Sequence, residues 1–281
     1  MSDAVLVAAD ALRARLDGPD PPTLLDVRWA LGDEHGRERH AEGHIPGAVY
    51  VDLDSELTDP PSVERGRHPL PSPARLQEAA RRWGVRAGHD VVAYDDSGGL
   101  AAARAWWLLR WAGVSQVRLV DGGLAAWVRA GGGLETGDVA PAPGDIVVGA
   151  GGMSVVEADE AAATAVTGVL LDARAAERYR GEVEPVDPRA GHIPGALSAP
   201  TTGNLDTEGR FLAPDDLRAR FAGLGADGGR PVAVYCGSGV TAAHEIAALA
   251  VAGVDAALYP GSWSQWSGDP ARPAATGDRP G

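Results

Sequence analysis

The sequence predicts an α/β protein built from two tandem domains, each a parallel sheet flanked by helices. At 281 residues the chain exceeds the usual size of one domain, and its 44% hydrophobic content is ample for two packed cores. Short apolar runs alternate with amphipathic helical stretches, which is the pattern of parallel sheets covered by helices on both faces. The second half also repeats the motifs of the first half in the same order, which indicates two copies of one domain.

The repeat consists of four pairs of matching segments. In order, they are Leu24–Arg28 with Leu170–Arg174, Gly43–Ala48 with Gly191–Ala196, Val91–Tyr94 with Val232–Tyr235, and Gly122–Trp127 with Gly261–Trp266. The period is much longer than that of solenoid repeats, so each copy should be a complete domain. A Gly- and Pro-rich stretch, Gly131–Gly152, separates the copies. We therefore predict domains over residues 1–135 and 153–281, joined by a linker over residues 136–152.

Apolar runs and helical periodicity place the individual elements. Four runs in the first copy predict strands, namely Leu24–Val27, Ala48–Val51, Val91–Tyr94 and Val117–Val120. Between the last two, Ala101–Ala112 predicts an amphipathic helix whose tryptophans pack in a core or an interface. In the second copy, Val232–Tyr235 predicts a strand and Ala242–Ala252 predicts the helix that follows it.

The only cysteine of the chain, Cys236, follows the predicted strand Val232–Tyr235 and opens the loop Cys-Gly-Ser-Gly-Val-Thr. Small residues let this backbone curl so that successive N–H groups converge on one point, and the next helix adds its positive N-terminal end. A thiol held there should ionise easily and act as a nucleophile. A buried structural cysteine is the alternative, and the loop argues against it. The matching residue of the first copy is Asp95, which is no soft nucleophile, so we expect only the second copy to be catalytic.

Composition restricts the classes of function. The net charge of −14 repels phosphates and anionic lipids, so we expect neither nucleic-acid nor membrane partners. A single cysteine excludes an intramolecular disulfide and a cysteine-cluster metal site, and the absence of Lys excludes Schiff-base and P-loop lysine chemistry. Residues Met1–Leu6 carry no basic leader before a long apolar segment, and no stretch approaches the ~20 apolar residues that span a bilayer. We therefore expect a cytoplasmic protein.

The paired Gly-His-Ile-Pro-Gly-Ala motifs, the loop Cys236–Thr241 and the terminal segment Gly261–Trp266 together resemble the tandem-domain rhodanese-like sulfurtransferases over essentially the whole chain. The resemblance implies two rhodanese-like domains and transfer of a sulfane sulfur from a small donor to Cys236, as a persulfide. The sulfur would then pass to a thiophilic acceptor such as cyanide or a thiol, with thioredoxin among the candidates. It implies no metal and no organic cofactor. Loop N–H groups would stabilise the thiolate and the terminal sulfur, and these belong to Gly237, Gly239, Val240 and Thr241.

The loop sequence bears on the sulfur donor. Thiosulfate-specific members of the family carry a basic loop, Cys-Arg-Lys-Gly-Val-Thr, whereas the present loop resembles that of the 3-mercaptopyruvate group. By that resemblance Ser238, His68 and Asp54 would form a relay that handles the proton as the donor's C–S bond breaks. Arg178, in the motif Arg-Tyr-x-Gly, and Arg189, near the place of a second family arginine, would bind the donor's carboxylate and keto oxygen.

Three other functions are weighed against this one. A thiosulfate:cyanide sulfurtransferase is the serious alternative, because one enzyme of this kind often uses both donors. A phosphatase of the same fold requires an arginine six positions after the cysteine, where this chain has Ala242. A non-catalytic sulfur carrier or interaction module is disfavoured by the intact Cys236 loop. We interpret His44 and His192 as structural, because they recur in the inactive copy and in the active one.

Overall fold

The computed structural model describes residues 5–281. These residues fold into two compact units, and each unit is assembled mainly from one half of the chain. Unit 1 contains residues 5–59, 71–153 and 206–211, and unit 2 contains residues 60–70, 154–205 and 212–281. Within residues 5–281 no helix combines the length and the apolar character that crossing a lipid bilayer requires.

Unit 1 is organised around a five-stranded sheet. Its strands are β1 (Leu6–Val7), β2 (Thr23–Asp26), β3 (Val49–Tyr50), β4 (Val91–Tyr94) and β5 (Val117–Val120). Its helices are α1 (Ala9–Leu16), α2 (Gly36–Glu42), α3 (Leu53–Glu56), α4 (Pro73–Arg82), α5 (Ala102–Trp111) and α6 (Gly123–Arg129). The strands lie in the order β1-β5-β4-β2-β3, and every pairing is parallel. The central strand β4 is buried along its whole length, as expected for an apolar strand covered on both faces.

Unit 2 contains a four-stranded sheet of the same kind. Its strands are β6 (Val169–Asp172), β7 (Leu197–Ser198), β8 (Val232–Tyr235) and β9 (Ala257–Leu258). Its α-helices are α7 (Ala158–Thr167), α8 (Ala176–Arg180), α9 (Pro214–Gly223), α10 (Thr241–Ala252) and α11 (Ser262–Gly268), with a short 3-10 helix over Thr201–Asn204. The strands lie in the order β7-β6-β8-β9, again with parallel pairings only. Strand β8 is fully buried, and Cys236 directly follows its carboxyl end.

The predicted fold class is confirmed: two α/β units with parallel sheets. The predicted strands Val91–Tyr94, Val117–Val120 and Val232–Tyr235 have the observed bounds, and Ala101–Ala112 is a helix over Ala102–Trp111. Of the tryptophans on α5, Trp106 and Trp107 are fully buried in unit 1. Continuous apolar runs are recognisable in sequence because both faces of these strands are covered.

The repeated motifs hold the same turn in both units. A tyrosine at the end of the central strand accepts a hydrogen bond from the isoleucine N–H of the Gly-His-Ile-Pro-Gly turn. The N–O distance is 3.0 Å for Ile45 to Tyr94 and 3.1 Å for Ile193 to Tyr235. The histidine of each turn is fully buried, and its Nδ1 lies 2.8 Å from a backbone carbonyl oxygen. Burial and this backbone contact support the structural interpretation of His44 and His192.

The Asp-x-Arg part of the first repeated block explains why that block also recurs. At the end of β2, Arg28 pairs with Asp26 at 2.9 Å and donates to the carbonyl of Gly43 at 2.7 Å. At the end of β6, Arg174 pairs with Asp172 at 2.6 Å and donates to the carbonyl of Gly191, also at 2.6 Å. In each unit a buried ion pair thus ties the strand end to the first glycine of the turn.

Residues 60–70 precede much of unit 1 in the chain but fold as part of unit 2. The backbone N–H of Arg67 donates to Ser264 Oγ at 3.1 Å, and Gln265 Nε2 donates to the carbonyl of Glu64 at 2.5 Å. Gly66 has a φ of +85°, and a Cβ at this position would lie 2.6 Å from the carbonyl oxygen of Gly261. Only glycine accommodates both the left-handed backbone and this close approach.

The predicted linker, residues 136–152, contains no helix or strand in the structure described here and runs along unit 1. The N–H of Gly144 donates to the carbonyl of Arg81 at 2.8 Å, and the N–H of Gly152 donates to the carbonyl of Trp111 at 2.9 Å. The domain boundaries at residues 135 and 153 stay a prediction.

A buried polar cluster lies under α10 in unit 2. Glu245 is fully buried, and its Oε2 accepts a hydrogen bond from Asn204 Nδ2 at 2.7 Å. Asn204 in turn accepts from Arg220 Nε at 2.9 Å. Burial raises the pKa of Glu245 to about 7, against the opposing effects of Asn204 and Arg220. The carboxyl group is therefore a stability determinant that titrates near neutral pH.

We expect Glu245→Gln to stabilise the protein in alkaline solution but not in acid. The folded pKa of about 7 exceeds the ordinary value of 4.5, so the folded state holds the proton more tightly. The stability that this proton brings is complete below the ordinary pKa and is lost as the pH rises through the folded pKa. At about 1.4 kcal/mol per pKa unit, the full loss amounts to roughly 3–4 kcal/mol, of which roughly 2–3 kcal/mol falls between about pH 5 and about pH 8.5. Urea unfolding should therefore show a gain of this size for the variant when about pH 5 is compared with about pH 8.5.

Glu78→Gln is the matched control for this prediction, because the Glu78 side chain is 76% exposed. It should leave the pH dependence of unfolding unchanged. An equal stability difference between Glu245→Gln and the wild type at both pH values would contradict the assignment of the titrating group.

Candidate active site

The site is built on the turn between β8 and α10. Cys236 follows the last residue of β8 and is 2% exposed, and its Sγ accepts a hydrogen bond from the N–H of Gly239 at 3.1 Å. Gly239 has a φ of +82°, which lets the loop reverse before α10 begins at Thr241. The sulfur thus lies within a loop that leads directly into the N-terminal end of a twelve-residue helix.

The segment after β9 holds the backbone of the cysteine loop. Ser262 Oγ accepts from the N–H of Cys236 at 3.1 Å and donates to the carbonyl of Tyr259 at 2.9 Å. The N–H of Trp263 donates to the carbonyl of Cys236 at 3.0 Å, and the N–H of Ser264 donates to that of Gly237 at 2.9 Å. Among residues 5–281, Ser262 alone combines a side chain with a positive φ, at 53°. This unfavourable backbone conformation therefore occurs at the residue whose hydroxyl group holds the backbone of Cys236.

The loop of unit 1 shows what this turn does when a carboxylate replaces the thiol. Asp95 is fully buried, and its two oxygens accept four backbone N–H groups at 2.8–2.9 Å, from Ser97, Gly99, Ala101 and Ala102. Burial raises the pKa of Asp95, and the four N–H donors act in the opposite direction. The turn therefore converges N–H groups on the end of its first side chain. In unit 1 this convergence point is occupied by the protein's own carboxyl group.

Ser238 and His68 lie together in unit 2. His68 Nδ1 and Ser238 Oγ are 2.7 Å apart, and the two residues are 7% and 6% exposed. His68 reaches this position because segment 60–70 folds with unit 2. Asp54 belongs to unit 1, where both of its carboxylate oxygens lie 3.1 Å from Trp29 Nε1. The role of Asp54 in a relay stays a prediction.

Two guanidinium groups flank Gly237, the residue after the cysteine. A Cβ built on Gly237 would lie 3.2 Å from Arg67 Nη2 and 3.4 Å from Arg178 Nη1. Arg178 was expected from the sequence, but Arg67 was not. Arg67 directly precedes His68, so the same segment brings both side chains to the loop.

Arg189 contacts the backbone at the end of α11. Its guanidinium donates four hydrogen bonds of 2.7–2.9 Å to backbone carbonyls, at Trp266, Ser267, Asp269 and Arg272. An arginine has five N–H donors, so at most one is left for a ligand. Arg189 thus fastens the end of α11 and the turn after it, and its role in substrate binding stays a prediction.

Among residues 5–281 no group of three or more His, Cys, Asp and Glu side chains is arranged to hold a metal ion. The chemistry available at the site is that of a buried thiol, a Ser–His pair and two arginines.

Comparison with known proteins agrees with this geometry. The Rhodanese-like domain family matches the sequence twice, over residues 8–130 and residues 155–269. A Pseudomonas aeruginosa protein named as a 3-mercaptopyruvate sulfurtransferase is 50% identical over 291 residues, which cover 99% of this chain and 100% of that protein. A Mycobacterium tuberculosis protein named as the thiosulfate sulfurtransferase SseB is 50% identical over 278 residues, which cover 97% of each chain.

A solved structure extends the comparison to three dimensions. The crystal structure of SseA from Escherichia coli is described by its rhodanese fold and as a 3-mercaptopyruvate sulfotransferase. It superposes with a TM-score of 0.81 at 37% identity, covering 92% of this chain and 98% of SseA.

Proposed function

Because the chain belongs to the rhodanese-like domain family in both of its halves, we propose that it is a sulfurtransferase that carries sulfur on Cys236 and prefers 3-mercaptopyruvate as the donor. The observation that carries the donor assignment is the 2.7 Å distance between His68 Nδ1 and Ser238 Oγ. Ser238 lies two residues after Cys236 in the chain. The small molecules involved are a sulfur donor and a thiophilic acceptor.

In the first step the Cys236 thiolate attacks the sulfur of 3-mercaptopyruvate. An S–S bond forms, the donor's C–S bond breaks, and its electron pair leaves with the carbon fragment as the enolate of pyruvate. The hydrogen on the transferred sulfur is lost as a proton, and a proton is delivered to the enolate, so pyruvate and Cys–S–S⁻ are the products. Ser238 and His68 are suited to this proton transfer because their polar atoms are at hydrogen-bond distance and shielded from water.

The loop is suited to hold the resulting anion. A persulfide places its terminal sulfur as many bonds from Cα as the carboxylate oxygens of an aspartate. In the matching turn of unit 1, four N–H groups donate to the carboxylate oxygens of Asp95, which lie that number of bonds from Cα. The donors we propose for the terminal sulfur are the N–H groups of Gly237, Gly239, Val240 and Thr241, with the N-terminal end of α10; that of Gly239 lies 3.1 Å from Sγ, and only that of Val240 aligns with a donor to Asp95.

In the second step the acceptor attacks the terminal sulfur. The S–S bond breaks, its electrons return to Cys236 as the thiolate, and the acceptor leaves with the sulfur atom. With cyanide the product is thiocyanate, and with a thiol it is a persulfide. Cyanide, small thiols and thiol proteins such as thioredoxin stay candidate acceptors. A cytoplasmic location likewise stays a prediction, which fractionation of the source cells would test.

The chemistry of the leaving group separates the two donors. Loss of an enolate leaves a strongly basic fragment that needs a proton, whereas thiosulfate releases sulfite, a stable anion that needs none. A buried Ser–His pair therefore serves 3-mercaptopyruvate and is superfluous for thiosulfate. Thiosulfate stays the second candidate, because two guanidinium groups flank Gly237 and a relative at 50% identity is named for that donor.

Steady-state kinetics with cyanide as the common acceptor tests the donor assignment. We expect kcat/KM for 3-mercaptopyruvate to exceed that for thiosulfate by at least about tenfold, which corresponds to roughly 1.4 kcal/mol in transition-state binding. A clear preference for thiosulfate would overturn the donor assignment and leave Cys236 as the sulfur carrier.

A further inference from the structure

The two arginines that flank Gly237 form ion pairs with neighbouring carboxylates. Arg178 Nη2 lies 2.6 Å from Glu184 Oε1 and 3.2 Å from Asp187 Oδ2. Arg67 Nη1 pairs with the other oxygen of Asp187, Oδ1. Asp187 therefore bridges both guanidinium groups with its single carboxylate.

The two ends of each guanidinium have different neighbours. Arg67 pairs with Asp187 through Nη1 and has Nη2 next to Gly237. Arg178 pairs with the carboxylates through Nη2, and its Nη1 is the nitrogen nearer to Gly237, at 3.4 Å from a Cβ built there against 3.8 Å for Nη2. The Asp187 and Glu184 side chains are only 2% and 4% exposed, while those of Arg67 and Arg178 are 26% and 19% exposed. The carboxylates thus form a buried layer, and the arginines form the layer nearer to the cysteine loop.

The formal charges of these four side chains cancel, since two arginines face one aspartate and one glutamate. Glu184 is also engaged with Arg174 and with the N–H of Val186, so it belongs to the framework of the turn. Asp187 is the carboxylate shared by both loop-facing arginines. Its negative charge therefore repels any anion that the two guanidinium groups bind.

We propose that Asp187 is a specificity-determining residue, whose buried carboxylate between Arg67 and Arg178 biases the site toward singly charged sulfur donors and against dianions. The proposal rests on the proposed sulfurtransferase function. A mercapto-keto acid carries one carboxylate charge, whereas thiosulfate carries two charges, so one nearby negative charge disfavours thiosulfate more strongly. The arginines still offer N–H groups that fit the planar carboxylate and keto oxygen of the monoanion.

The test is neutralisation of Asp187. In Asp187→Asn and in Asp187→Ser, we expect the ratio of kcat/KM for thiosulfate to kcat/KM for 3-mercaptopyruvate to rise roughly tenfold. Each variant removes a close-range negative charge, and this charge repels the dianion about twice as strongly as the monoanion. Asp187→Glu keeps the charge and should keep the wild-type ratio. Asp215→Asn is the control for overall charge, because Asp215 lies on α9 with a side chain that is 91% exposed, and it should leave the ratio unchanged.

Binding of non-reacting anions separates specificity from the catalytic steps. Titration calorimetry with sulfate, a dianion, and pyruvate, a monoanion, should show that Asp187→Asn tightens sulfate binding several-fold more than pyruvate binding. An unchanged ratio of the two donors, or parallel losses for both donors without a change in relative anion affinity, would overturn the proposal. If the wild type prefers thiosulfate, the donor assignment fails. The change in the donor ratio between the wild type and Asp187→Asn still tests the role of Asp187 separately.

Discussion

Replacing Cys236 with Ser is expected to abolish sulfur transfer from both 3-mercaptopyruvate and thiosulfate. A serine hydroxyl stays protonated near neutral pH and is a poor nucleophile toward sulfur, so no counterpart of the persulfide forms. We expect a loss of at least about 10³-fold in kcat/KM for either donor. The substitution is nearly isosteric, so the thermal unfolding midpoint should change little.

Mass spectrometry provides a direct readout for the same variant. The wild type, incubated with a donor and no acceptor, should gain one sulfur atom that cyanide then removes. Because Cys236 is the only cysteine of the chain, a persulfide has no second site to form on. Turnover retained by Cys236→Ser, or a sulfur adduct on that variant, would sink the mechanism.

The second large effect is expected at the Ser238–His68 pair, and it should depend on the donor. His68→Gln and Ser238→Ala should each lower kcat/KM for 3-mercaptopyruvate about 10²-fold, since the enolate then lacks its proton source. With thiosulfate, whose leaving group needs no proton, we expect a change of only a few-fold. The double variant should lose little more than either single variant, because two members of one relay act as a unit.

His35→Gln is the matched control, because His35 is in unit 1 and its side chain is 70% exposed. It should leave both donors unaffected. Equal losses with 3-mercaptopyruvate and thiosulfate would show that the Ser238–His68 pair only shapes the loop, and would remove the argument for the donor assignment.

The fold could be predicted from the sequence wherever burial dictates composition. Strands β4 and β8 are buried along their whole length, so their sequences are continuous apolar runs with sharp ends. The two-residue strands β1 and β9 carry no such signal, because a run that short has no period. The exchange of segments 60–70 and 206–211 between the units also escaped prediction, since it follows from tertiary packing.

The site divides in the same way. The placement of Cys236 and Ser238 in a loop between a strand and a helix could be predicted, because that pattern is local in the sequence. Arg67 was missed, because nothing in the sequence near it indicates that its side chain reaches Gly237. The contacts of Arg189 with four backbone carbonyls could not be predicted, because proximity to a motif does not reveal how its N–H groups are used.

Ser262 was also missed, although the repeat held a hint. Its counterpart in the first copy is Gly123, whose φ is +56°. A glycine matched by a serine in a duplicated motif indicates a left-handed backbone that the second copy maintains at a cost. Comparison of the two halves, position by position, was therefore the signal that could have found this positioning residue.

The placement of residues 60–70 has a consequence for the inheritance of donor chemistry. The duplication boundary in the chain is not the boundary of the catalytic unit, because Cys236 comes from the second repeat and His68 from the first. A chimaera that joins the first half of one homologue to the second half of another, at the linker, would take Cys236 and Ser238 from one parent and His68, the partner of Ser238, from the other. If His68 acts as proposed, we expect donor preference to depend on both halves of the chain, so that recombination at the linker changes it without altering the sulfur-carrying loop.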